Sequence, residues 1–82
     1  MECYDKFHRG MFYVELWLPT MQDEPLECLV KVFRCGTRVK SGKVPLSRFP
    51  MPLPDAEEMN TIIAAADALI NEVLAAEQGG QP

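Results

Sequence analysis

The spacing of apolar residues changes once along this chain, from every second residue to every third or fourth, and the change falls at a cluster of prolines. Four prolines stand between residues 45 and 54, three of them alternating in Pro50-Met51-Pro52-Leu53-Pro54. Proline fixes φ and has no N–H to donate, so this stretch can be neither helix nor central strand. It is expected to run extended as a stiff linker over residues 47–54, with Met51 and Leu53 sealing the rim of a core. A proline-rich ligand for a partner would use the same residues.

After the prolines the pattern is helical. Asp55 stands at an N-cap position with Glu58 three residues on, and acids crowd the first turn, where the helix dipole favours them. Met59, Ile62, Ile63, Ala66, Leu69, Ile70, Val73 and Leu74 recur at spacings of three and four and form one broad apolar stripe. Alanines fill much of the rest, and Gly79-Gly80 ends the segment. The spacing predicts one helix over residues 55–77, with 78–82 a frayed tail. At 1.5 Å per residue it is roughly 33 Å long, enough to cover a small sheet and to overhang it.

Before the prolines the pattern is that of strands. In residues 11–18, Phe12, Val14, Leu16 and Leu18 alternate with Met11, Tyr13, Glu15 and Trp17, bounded by Gly10 and Pro19. A polar connection between Pro19 and Pro25 follows. In residues 26–35, Leu26, Cys28, Val30 and Val32 alternate with Glu27, Leu29, Lys31 and Phe33. Gly36-Thr37 is the expected hairpin turn, and Arg38-Val39-Lys40 opens a third strand. Ser41-Gly42-Lys43 is expected to interrupt it as a bulge or second turn before Val44-Pro45-Leu46, which Pro45 places at an edge. The fold class expected is α+β. A three-stranded antiparallel meander over residues 11–46 is followed by one long C-terminal amphipathic helix packed on one sheet face. Residues 1–9 are expected to form an N-terminal extension of this single domain, residues 1–82.

Length permits one core, since 82 residues bury only about 60% of the unfolded surface. No uninterrupted apolar run approaches the roughly 20 residues that span a bilayer, so no membrane role is expected. The opening Met1-Glu2-Cys3-Tyr4-Asp5 lacks the basic-then-apolar pattern of a signal peptide. Cys3, Cys28 and Cys35 are odd in number and match neither a zinc site nor a disulfide framework, which fits reduced thiols with Cys28 in the core. A cytoplasmic protein is the expectation.

Catalytic chemistry has little to draw on. The single histidine, His8, precedes the first expected strand with no orienting partner in the local sequence, and is read as solvated or bonded to backbone. Metal-ligand spacings and a Walker phosphate loop are absent, so no cofactor and no enzymatic activity are expected. Charge is more informative than its net value of −4. Lys31, Arg34, Arg38, Lys40, Lys43 and Arg48 lie in a stretch with no acid, whereas residues 55–77 carry six acids and no base.

Three surfaces could act. Tyr13 and Trp17, with Leu29 and Phe33, form an aromatic patch on the sheet face opposite the helix, of the types that anchor interfaces. It would dock a protein partner or a second copy in a homodimer. Glu57, Glu58, Asp67 and Glu72 give the helix an acidic outer face that could dock on a basic nucleic-acid-binding surface. In size, charge and layout the chain resembles small acidic α+β proteins of mobile elements, including phage-encoded inhibitors of host defences. That resemblance implies a small inhibitor or regulator that binds a larger protein. Alternatively Arg34, Arg38, Lys40 and Lys43, in the basic hairpin over residues 31–48, could follow a nucleic-acid backbone. The same bases would otherwise only balance the helix and guard an edge strand.

Overall fold

Two-residue loops determine how the sheet is built. In the computed structural model, which describes residues 1–20, 25–47 and 54–79, strands β1 (Glu2–Arg9), β2 (Phe12–Leu18), β3 (Glu27–Arg34) and β4 (Thr37–Pro45) form one antiparallel sheet in the order β1-β2-β3-β4. Arg9 pairs with Phe12 across Gly10-Met11, and Arg34 pairs with Thr37 across Cys35-Gly36. Gly10 has φ +65°, while Cys35 and Gly36 have φ 53° and 78°. Positive φ at the first or at both central residues matches the right-handed twist of the flanking strands. The second hairpin therefore turns one residue earlier than Gly36-Thr37, and Cys35 adopts a conformation that disfavours a side chain.

The α+β layout stands, with four strands rather than three. Residues 1–9 are not an extension but an edge strand. Tyr4 is an extra residue opposite Leu16, between the pairs Cys3–Trp17 and Asp5–Leu16. This bulge brings Tyr4 onto the same side as Phe7, where both pack against the core. The expected interruption at Ser41-Gly42-Lys43 is also corrected. β4 runs through it unbroken, and the bulge lies at Val39, between the pairs Val32–Lys40 and Phe33–Arg38. Gly42 serves packing instead, because a Cβ there would come within 3.2 Å of Leu69 Cδ2. As expected from Pro45, β4 is an edge.

Helix α1 (Ala56–Gly79) follows. Its cap is the one read from sequence: the Glu58 N–H donates to Asp55 Oδ1 at 2.8 Å, and the Glu58 carboxylate accepts in return from the Asp55 N–H. The helix lies over β3 and β4. Ile62, Ala66 and Ile70 form its buried line, while Ile63, Leu69 and Val73 are half-buried and Leu74 is exposed. Opposite them Phe12, Val14, Leu16, Cys28, Val30 and Val32 are closed to solvent. Glu77 in the last turns still reaches Arg34 on β3, so little of the helix overhangs the sheet.

By length and composition alone α1 is long and apolar enough to cross a bilayer, with a mean hydropathy of 1.3 in its most apolar window. Here its stripe packs on the sheet. The helix runs two residues beyond its expected end, so Gln78 and Gly79 belong to it and not to a frayed tail over 78–82. Residues 21–24 of the expected connection, 48–53 of the expected linker over 47–54 (Arg48, Met51 and Leu53 among them) and 80–82 of the tail lie outside the described residues.

The open face of the sheet as a candidate interaction surface

Strand periodicity gives each side of the sheet half of the residues, and the helix covers one side only. The other side is fixed by register as three transverse rows. Nearest the two hairpin loops lie His8, Tyr13, Phe33 and Arg38. In the middle lie Lys6, Glu15, Lys31 and Ser41. At the far end lie Cys3, Trp17, Leu29 and Lys43. No described element packs over them.

The four aromatic-patch residues expected from sequence are thus brought together on the two central strands. Tyr13 stands between His8 and Phe33, with ring centroids 5.1 and 6.2 Å away, both tilted. The Trp17 Nε1–H donates to Glu15 Oε1 at 3.0 Å, and the Lys31 ammonium lies 4.4 Å from the centre of the same indole ring. The indole is held between an acid and a base. Tyr13, Glu15, Trp17, Leu29, Lys31 and Phe33 on the two central strands are each half-buried, whereas His8 is exposed. At the loop end it dips into an open concavity lined by His8, Met11, Tyr13, Phe33 and Cys35.

The other predicted residues do not form single surfaces. The basic hairpin is split by the two-residue period: Arg38 and Lys43 lie on the open side, whereas Arg34 and Lys40 lie on the helix side. Arg34 is engaged there, paired with Glu77 and placed 5.7 Å from the centre of the Phe12 ring. That pairing holds the Glu77 carboxyl below its ordinary range and raises the Arg34 guanidinium above its own. Of the helix acids, Asp67 takes a two-pronged contact from Arg9, at 2.8 and 2.7 Å, and Glu58 belongs to the cap. Glu57 and Glu72 are exposed.

Sequence reasoning missed His8 and Lys6 as members of the open face because it did not read β1 as a strand. The available signal is Gly10-Met11, a two-residue turn led by glycine directly before the strand that begins at Phe12. Among the described residues, no group of three or more His, Cys, Asp and Glu side chains could hold a metal ion. Cys28 is sealed under the helix, and burial pushes its thiol up to about 11. Cys3 and Cys35 are free thiols. No known family, curated protein or solved structure matches this chain.

Proposed function

We propose that this protein is a non-catalytic protein-interaction module, a small regulator or inhibitor, whose working surface is the open face of the sheet. One observation supports this above the others. Tyr13, Phe33, Trp17 and Leu29 form two facing pairs across the central strands, and no described element covers them. Aromatic anchors on either side of the charged Glu15–Lys31 pair, with further bases at the edges, are residue types that recur in protein interfaces. A photoreactive benzophenone amino acid in place of Phe33 tests the reading in the native cell. We expect a protein adduct from this position and none from the same substitution at Ala64 on the exposed side of the helix. Absence of any protein adduct at position 33 would overturn it.

A second reading rests on the same face. Lys6, Lys31, Arg38 and Lys43 surround its aromatics, the composition of a platform on which single-stranded nucleic acid stacks. This differs from the basic-hairpin expectation, since only Arg38 and Lys43 of the four hairpin bases lie there. Nucleic-acid binding would weaken steeply with salt, and Lys43→Ala would shallow that dependence by about one phosphate contact. No retardation of DNA or RNA at low salt would remove it.

A further inference from the structure

Resting on the protein-interaction reading, we infer that the chain seated on the open face is a second copy of this one, related by a two-fold axis that lies between the two sheets and runs parallel to β2 and β3. Two sheets stacked face to face keep their strands roughly aligned, which leaves two simple placements for an in-plane two-fold axis. An axis perpendicular to the strands sets β2 on β2 of the partner. Glu15 would then face Glu15 and Lys31 would face Lys31, like charges brought together out of water. The parallel axis sets β2 on β3 of the partner. Glu15 then faces Lys31, Tyr13 faces Phe33 and Trp17 faces Leu29, each pair occurring twice, because the observed register makes these residues neighbours on one face.

The edges agree. Under the parallel axis Lys6 faces Ser41, Arg38 faces His8 and Lys43 faces Cys3, so no lysine or arginine meets another. The face carries an excess of positive charge, yet this placement alone keeps every base away from its equals. Its extent also fits. Four strands about 4.8 Å apart and about 25 Å long offer a footprint near 500 Å² per copy, so about 1,000 Å² in all. That is the lower limit for a specific interface, and a dimer in the micromolar range is expected. Both helices then lie outermost, with Glu57 and Glu72 in solvent.

Charge reversal tests the pairing. Wild-type protein is expected to sediment as two chains at about 100 μM. Glu15→Lys and Lys31→Glu should each weaken the dimer on the order of a hundredfold, because like charges now face across the axis. An equimolar mixture of the two variants should dimerise again, since residue 15 of one faces residue 31 of the other with opposite sign. Circular dichroism checks that each variant is folded. If a reversal unfolds the chain, Glu15→Gln and Lys31→Gln remove the pair more gently and should weaken association about tenfold. A wild-type mass of one chain at that concentration overturns the dimer, as does a mixture of folded variants that stays monomeric. A benzophenone adduct at position 33 to some other protein, with a monomeric wild type, removes the second copy but keeps the interaction reading. No adduct of any kind removes both.

Discussion

The two faces of this sheet are built from the same strands, residue by alternate residue, yet they are finished differently. On the helix side β2 contributes Phe12, Val14, Leu16 and Leu18, all buried, and β3 contributes Cys28, Val30 and Val32, all fully buried. These side chains are aliphatic or aromatic, save one thiol, and pack on Ile62, Ala66 and Ile70, with the Arg34 guanidinium over the Phe12 ring at one end. On the open side the same two strands contribute Tyr13, Glu15, Trp17, Leu29, Lys31 and Phe33, each half-buried. A face that will always be dry can dispense with hydrogen-bonding groups. One that must exist both wet and covered needs side chains with an apolar body and a polar tip. The difference separates residues that hold the fold from residues that present a surface.

Substitutions on the two faces should diverge accordingly. Leu16→Ala opens a cavity at a fully buried site and should cost about 2–5 kcal/mol. Trp17→Ala, one residue on but facing the other way, should cost about 1 kcal/mol or less in dilute solution, where association contributes nothing. Urea melts of the two variants at low protein concentration give the comparison. Equal losses would mean that the open face belongs to the core. Next in size is the cap of the covering helix. Asp55→Ala removes the acceptor of the Glu58 N–H and should lower stability by about 1 kcal/mol in the same assay.

The smallest effect concerns pH. Glu77 is held by Arg34 below the ordinary carboxylate range, so its folded form binds protons less readily than its unfolded form. The stabilisation it gives is present above the ordinary carboxylate pKa and is lost as pH falls through the depressed value. Glu77 is exposed and Arg34 only half-buried, so the pair is screened by solvent and the global melt should hardly move. Amide exchange in the last turn of α1 should quicken in acid in wild type and be less sensitive to acid in Glu77→Gln. Equal acid sensitivity in the two proteins would show that the pair does not anchor the helix end.

Much of this was legible in the sequence, for definite reasons. The helix, its Asp55–Glu58 cap and the faces of β2 and β3 follow from periodicity, because one side of each element is buried and alternation is then sharp. β1 was not legible for the converse reason. It is an edge strand with most side chains in water, and the bulge at Tyr4 sets its two core-facing aromatics three residues apart instead of two. Gly42 reads as a break in any strand pattern, and only the place of Leu69 above it explains why the strand continues. The aromatic patch was legible as a set, since period two alone puts Tyr13 with Trp17 and Leu29 with Phe33. Its partners Lys6 and His8 depend on β1. The split of the basic hairpin follows from a register that the sequence alone leaves open, because Val39 shifts Arg38 relative to Lys40.

The chain has a single tryptophan, and it lies on the face in question. Its emission followed on dilution from about 200 μM to about 0.2 μM is the most direct test that the open face is an occupied surface. The account predicts a shift to the red and a rise in acrylamide quenching across the micromolar range. Both should be absent in Glu15→Lys, whose tryptophan should already be exposed at the highest concentration. An emission maximum and quenching constant that stay constant over the whole range in wild type would contradict it.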